Sequence, residues 1–131
     1  MIIDTTFLVH LFRQRQDAFE KGVELTENDV VQRVPAPVVM ELSYGVERWG
    51  DRDERRKLEN AMEMYPVVEL TRELADKAGA MGGKADDALG GESDIDKVDP
   101  MVAAVADFYG EPVLTENVEH FEALGVEVET Y

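Results

Sequence analysis

The chain has 131 residues, of which 44% are hydrophobic, so it is long enough to bury a core and too apolar for a disordered protein. It contains no cysteine, which excludes disulfides and thiolate metal sites, and no apolar run approaches the roughly 20 residues of a membrane span. The first residues lack the basic start and long apolar core of a signal peptide, so we expect a cytoplasmic protein without membrane contact.

Charge is the most unusual property of the composition. The 29 acidic residues outnumber the 13 basic ones and give a formal net charge of −16, with the acids spread along the whole chain. One interpretation is a protein that avoids nucleic acid, because phosphate binding normally requires a basic patch. The other, which we favour, is a halophilic acidic surface that stays soluble where high salt screens the repulsion. On that interpretation the net charge says little about the substrate.

The N-terminal segment predicts a buried strand, a turn and a helix. The apolar run 1–3 ends at Asp4, and apolar residues return at helical spacing over residues 7–12. Ligands bind beyond the carboxyl ends of strands in open α/β sheets, so Asp4 is a candidate site residue. It is also a candidate helix cap, although the hydroxyls of Thr5 and Thr6 could serve that purpose equally well.

Strands and helices alternate along the rest of the chain. Further strands are predicted at 30–34, 66–70, 112–114 and 126–130. Helices are predicted at 14–29, 38–49, 51–64 and 72–88, from Asp99 to Gly110, and around Phe121. This alternation predicts an α/β fold, a three-layer α/β/α sandwich with a central, mostly parallel sheet.

Apolar periodicity also predicts which helix faces point inward. It places Phe19 on the inner face of the helix over 14–29, Trp49 on that of 38–49, and Phe108 on that of the helix after Asp99. We therefore expect these three aromatic side chains to pack in the core.

Polar residues are expected to meet at one edge of the sheet. Asp4 follows the first strand, and Glu41 lies one turn inside the helix after the second. Thr115 and Asn117 come just past the fourth strand, and the helix that begins at Asp99 points its N-terminus to the same edge. Three carboxylates in a small crevice raise one another's pKa unless a cation joins them. A hard divalent cation such as Mg²⁺ accepts oxygen ligands and can activate a water towards a phosphodiester.

Each acid also has a structural explanation. Asp99 precedes Pro100 and would be a good helix N-cap. Glu41 lies within an apolar stripe, where an unpaired buried carboxylate is costly, but it could face solvent at the margin of that stripe.

Three segments resemble the PIN-domain family and, within it, the VapC-type toxin ribonucleases. They are MIIDTTFLVHLF, PAPVVMELSYGVERW and VDPMVAAVADFYGEPVLTENVEHFEALGVEVETY. Their order, spacing and flanking hydrophobicity match the family, and together they cover most of the chain. The resemblance implies a single PIN-like domain over residues 1–131, a Mg²⁺- or Mn²⁺-dependent endoribonuclease that hydrolyses RNA as the toxin of a type II toxin–antitoxin system.

The resemblance also implies roles for individual residues. Asp4 and Asp99 would be the principal metal ligands, and Glu41 would help to position metal or water. Thr6 and Thr115 match hydroxyl positions near the site.

One family position departs from the pattern. The family often has a further acid after the fourth strand, where Asn117 stands at the most plausible position, with Glu116 and Glu119 beside it. Asp96 could substitute for that acid if its loop folds in. The departure leaves open a second metal site and the means by which the leaving group is stabilised.

Partners are implied in the same way. The resemblance suggests a homodimer and a small VapB-like antitoxin that covers the catalytic groove. The densest cationic cluster is our candidate for RNA contact, the alternative being a solvated face with helical ion pairs. Its members are Arg48, Arg52, Arg55, Arg56 and Lys57, and the four arginines are the candidate contact residues.

Four other interpretations compete. The first is a catalytically weak or inactive PIN-like module that binds RNA or protein. A phosphatase of the haloacid-dehalogenase type would need D-x-D-x-T, but Thr6 stands where the second Asp is required. A receiver domain would need a mid-chain Asp and a supporting Lys, and neither is placed properly. His10 and His120 could suggest zinc, but isolated histidines are more often surface or core residues.

Overall fold

The computed structural model describes residues 1–131 and contains five short strands. They are β1 (Ile2–Ile3), β2 (Val34–Pro35), β3 (Val67–Val68), β4 (Val113–Leu114) and β5 (Val128–Glu129). β1, β4 and β5 form one parallel sheet, and β2 and β3 form another. A parallel bridge between Ile2 and Arg33 joins the two, so the strand order is β3-β2-β1-β4-β5. All strands therefore point the same way, and their carboxyl ends share one edge.

Seven helices connect and cover the strands. They are α1 (Thr5–Phe12), α2 (Gln16–Glu27), α3 (Ala36–Trp49), α4 (Arg52–Met64), α5 (Arg72–Ala88), α6 (Val98–Tyr109) and α7 (Val118–Ala123). Two neighbouring parallel strands must be joined by a crossover connection. Strands that pair in the sheet are therefore separated in sequence by at least one helix. The predicted α/β fold with a central parallel sheet is confirmed, and none of the helices is long and apolar enough to cross a bilayer.

Local sequence signals explain where several helices begin and end. The Asp51 side chain accepts the Glu54 amide while the Glu54 side chain accepts the Asp51 amide, which is a capping box for α4. Thr71 caps α5 through the Leu74 amide at 3.2 Å. At the end of α6, Gly110 has a φ of 63°, a left-handed conformation that costs glycine little.

The core lies where α6 crosses the sheet. This helix contacts β1, β2 and β4, and the small side chains of Ala103 and Ala104 are fully buried against them. Phe7 of α1 and Phe121 of α7 are also fully buried, so they anchor the helices that follow β1 and β4. Burial of such rings stabilises the fold by roughly 2 to 3 kcal/mol each.

The prediction that three aromatic residues face inward is wrong. Phe19 is 60% exposed, Trp49 is 73% exposed and Phe108 is 66% exposed. In α2 the buried residues are Ala18 and Leu25, so the inner face is rotated one residue away from Phe19. Trp49 is the last residue of α3, and Phe108 is the last but one of α6.

We predict that Phe7→Ala destabilises the protein far more than Phe19→Ala. Truncating the fully buried ring of Phe7 leaves a cavity and should lower the free energy of unfolding by about 3 to 5 kcal/mol. The exposed ring of Phe19 should contribute less than about 0.5 kcal/mol. Urea unfolding followed by circular dichroism measures both, and similar losses for the two variants would contradict the assigned burial.

Candidate active site

Asp4 lies at the carboxyl end of β1, the central strand, and its residue is only 2% exposed. Its Oδ2 atom accepts hydrogen bonds from the hydroxyls of Thr115 at 2.7 Å and Thr6 at 3.0 Å. Burial raises the pKa of Asp4, while the hydrogen bond from Thr115 opposes that rise. Although Asp4 occupies the N-cap position of α1, its side chain makes no capping hydrogen bond. Capping therefore does not explain this buried acid.

Glu41 projects from the second turn of α3 towards the same edge of the sheet. The hydroxyl of Thr5 donates a hydrogen bond to its Oε1 atom at 2.5 Å. Burial raises the pKa of Glu41, and the negative charges of Asp96 and Asp4 raise it further. Glu41 is therefore half-buried beside other acids and does not extend freely into solvent.

Asp99 lies in the first turn of α6 and is 4% exposed. Burial raises its pKa to about 6, with further contributions from the charges of Asp96 and Asp4. The helix is capped by another residue, because Asp96 Oδ1 accepts the amides of Val98 at 2.8 Å and Asp99 at 3.0 Å. The side chain of Asp99 is thus free for another role, and Asp96 lies close enough to influence both Glu41 and Asp99.

His120 also belongs to the site, although the sequence pattern indicated only an isolated histidine there. Its Nδ1 atom lies 3.0 Å from Asp99 Oδ2, and its Nε2 atom lies 3.6 Å from Asp94 Oδ2. Asn117 begins α7, and its backbone amide donates to the Thr115 hydroxyl at 3.0 Å. The sequence places His120 in the first turn of the short helix after β4, and from there its side chain can reach the carboxyl end of that strand.

The second histidine has a different environment. His10 Nδ1 lies 2.7 Å from the hydroxyl of Tyr131, and Arg15 forms ion pairs with Asp17 and Glu116 nearby. Burial raises the pKa of Tyr131 to about 12, so its hydroxyl stays protonated. The two histidines therefore contact different partners, Tyr131 in one case and Asp99 in the other.

The chemistry of the site fits a divalent cation. None of the carboxylates of Asp4, Glu41 and Asp99 forms an ion pair with lysine or arginine, and the nearest cationic partner is His120 at Asp99. No three acidic or histidine side chains converge on one point as a preformed centre. The carboxylates raise one another's pKa, and a divalent cation held by their oxygens would offset this repulsion.

A groove runs from Glu41 along α3 to the start of α4. Its volume is about 260 Å³, and its walls include Arg13, Gly45 and Trp49. Arg48 lies over the Trp49 ring at 5.3 Å.

None of the four arginines of the predicted cationic cluster lines this groove, whose own cation is Arg13. Arg52 and Arg56 are exposed on α4, whereas Arg55 donates to Glu47 at 3.0 Å. One of the four arginines is therefore engaged in an ion pair between α4 and α3.

A comparison with models of protein families identifies the family that has this fold. The family model described as the PIN domain matches residues 1–126. The chain belongs to the PIN-domain family. The resemblance drawn from its three sequence segments is therefore confirmed, and no curated protein sequence matches the chain.

Solved structures share the fold of this PIN domain at low sequence identity. VapBC2 from Rickettsia felis, bound to a promoter DNA fragment, has a TM-score of 0.82 at 17% identity and covers 99% of this chain and 97% of that one. DNA-bound VapBC from Salmonella typhimurium has a TM-score of 0.78 at 20% identity, covering 98% and 96%. VapC20 from Mycobacterium tuberculosis, a toxin that cleaves the sarcin-ricin loop, has a TM-score of 0.71 at 18% identity, covering 95% of each chain.

The raised pKa of Asp99 makes stability depend on pH. The pKa is about 6 in the folded PIN domain against an ordinary value of 3.8, so the folded state binds this proton more tightly than the unfolded chain does. The contribution of Asp99 to stability is therefore lost as the pH rises from about 4 to about 6. In EDTA we expect Asp99→Asn to be more stable than the wild type by about 3 kcal/mol at pH 8 and nearly equal to it at pH 4.

Urea unfolding at the two pH values measures this difference. Asp87→Asn, at an exposed position on α5, is the matched control because it removes the same charge. An equal gain for both variants at pH 8 would show that net charge, and not the burial of Asp99, is responsible.

Proposed function

We propose that this PIN domain, acting as one unit over residues 1–131, is a metal-dependent endoribonuclease and the toxin of a type II toxin–antitoxin pair. The observation that carries the proposal is the presence of three buried or half-buried acids, Asp4, Glu41 and Asp99, along the carboxyl edge of one parallel sheet without a lysine or arginine partner. The fold it shares with a toxin that cleaves the sarcin-ricin loop supports RNA as the substrate.

Asp4 and Asp99 would hold Mg²⁺ or Mn²⁺ in this site. Both hydroxyls that contact Asp4, those of Thr6 and Thr115, bond to Oδ2, and no side chain donates to Oδ1. When bound, the cation would supply positive charge to the phosphodiester and lower the pKa of a water. Asn117, beside Thr115 at the start of α7, would offer its side-chain amide to the substrate.

Glu41 would act as the general base for the attacking water. Burial and its acidic neighbours raise the pKa of its carboxylate, which makes it a better proton acceptor. The hydrogen bond from Thr5 fixes one carboxylate oxygen, and no side chain donates to the other.

RNA would approach along the groove that leads from Glu41 to Trp49. The Trp49 ring is 73% exposed and lies 6.0 Å from that of Tyr44, so both aromatic rings are available for base stacking. Beyond them, Arg48 and the arginines of α4 would contact phosphates, which is a favourable arrangement in a protein of net charge −16.

The proposed partners follow from the similar complexes. The structures from Rickettsia felis and Salmonella typhimurium are VapBC assemblies bound to DNA. We therefore propose a small VapB-like antitoxin that covers the catalytic groove, and a homodimer of this chain as the unit that the antitoxin binds.

We predict that the purified protein cleaves structured RNA, tRNA included, in high-salt buffer with Mg²⁺ or Mn²⁺. Asp4→Asn and Asp99→Asn should each lower the rate at least about a hundredfold, because each removes a carboxylate that holds the cation. Cleavage followed on denaturing gels, with and without EDTA, provides the measurement.

Asp87→Asn is again the control, because it removes one negative charge far from the crevice. It should retain the wild-type rate. Cleavage that persists in EDTA or in both site variants would contradict the proposal, and metal binding by a folded protein that cleaves none of the RNAs would favour a binding module.

A second prediction concerns the path of the RNA. Replacing Arg52, Arg55 and Arg56 by alanine in the Asp4→Asn background should weaken binding of single-stranded RNA and reduce the salt slope by about 2, because up to three phosphate contacts are lost. Fluorescence anisotropy at several KCl concentrations measures both quantities.

The control for this experiment is Arg72→Ala combined with Lys84→Ala, two exposed cations of α5. They lie outside the groove, so the variant should bind RNA as the parent does. If the α4 variant binds with unchanged affinity, the assignment of this cluster to RNA contact is wrong.

A further inference from the structure

His120 brings a nitrogen donor to a site whose other side chains offer only oxygen. The fully buried ring of Phe121 anchors α7 next to it, so the position of the imidazole is set by the core and not by a mobile loop. Its Nδ1 atom lies 3.0 Å from Oδ2 of Asp99. This contact is the only one between a basic side chain and any of the three acids.

The spacing suits two neighbouring ligands of one cation. Octahedral divalent ions bind oxygen and nitrogen at about 2.1 Å, so adjacent ligand atoms are separated by about 3.0 Å. A cation at the mouth of the Asp99–His120 pair could therefore bind both atoms by taking the place of the proton that their hydrogen bond shares.

The surroundings of the second ring nitrogen bear on the same question. Ligating histidines usually present their second ring nitrogen to a carboxylate or carbonyl, which fixes the ring and increases its basicity. Here the second nitrogen of His120, Nε2, lies 3.6 Å from the exposed carboxylate of Asp94, which is too far for a hydrogen bond but close enough for an ionic contact. Nδ1 is the ring nitrogen that contacts Asp99.

We propose that His120 is a direct ligand of the divalent cation, and that the site consequently prefers Mn²⁺ to Mg²⁺. The inference rests on the proposed function insofar as the site must hold a cation. Mg²⁺ strongly favours oxygen ligands, whereas first-row transition ions accept imidazole readily. One nitrogen ligand in a carboxylate site therefore shifts the preference towards Mn²⁺.

The competing role for His120 is to orient Asp99 through a hydrogen bond while remaining outside the coordination sphere. The two roles differ in one observable. A directly bound imidazole nitrogen couples magnetically to the unpaired electrons of Mn²⁺, whereas an imidazole bonded only to Asp99 gives no such strong coupling.

The experiment is pulsed electron paramagnetic resonance of the full chain with Mn²⁺, without RNA. The chain has two histidines, so His120→Gln and His10→Gln together identify the source of any imidazole coupling. We expect strong nitrogen coupling in the wild type and in His10→Gln, and its loss in His120→Gln. Calorimetry with Mn²⁺ and Mg²⁺ separately should show Mn²⁺ affinity reduced about tenfold in His120→Gln and Mg²⁺ affinity nearly unchanged.

His120→Asp provides the converse test, since an added oxygen ligand should improve Mg²⁺ binding relative to Mn²⁺. If Mn²⁺ binds the wild type without imidazole coupling, His120 is not a ligand, and the metal-dependent nuclease proposal stands. Coupling that disappears in His10→Gln instead would likewise overturn the inference. If the wild type binds neither ion, both the inference and the proposed function fail.

Discussion

The repulsion among carboxylates at the carboxyl edge of the sheet is the constraint on which the site depends. The parallel arrangement places the end of β1, the first turns of α3 and the start of α6 side by side, and each contributes an acid. Burial raises the pKa of Asp4, Glu41 and Asp99, and neighbouring acids add to the effect at Glu41 and Asp99. The rest of the fold must therefore offset the free energy that is lost when these like charges are held close together.

Threonine hydroxyls supply part of that compensation. Thr6 and Thr115 both donate to Asp4, and Thr5 donates to Glu41. These neutral donors stabilise the carboxylates and leave their charge in place, whereas a lysine would cancel it. The site therefore remains negative and able to attract a cation, at the expense of stability in the absence of one. Such a trade between stability and activity is common where function needs a strained or charged arrangement.

The order of the strands and helices could be predicted from the sequence, whereas the burial of individual aromatic side chains could not. The alternation of strands and helices and most helix limits could be predicted, because they depend on local apolar runs and on capping residues such as Thr71 and Gly110. The exposure of Phe19, Trp49 and Phe108 could not, because it depends on which residues of each helix the neighbouring elements cover. Periodicity identifies an apolar face, but it does not show which of its residues other elements will bury.

The sequence by itself determined that an acid follows the first strand, that another lies within an apolar helix and that a third opens the helix before β4. Parallel topology then requires them to share an edge. Only the tertiary structure decided that Asp96 caps α6 in place of Asp99, and that His120 contacts Asp99. Those contacts depend on side-chain directions and on the docking of α7, which distant residues set through packing and which no local pattern encodes.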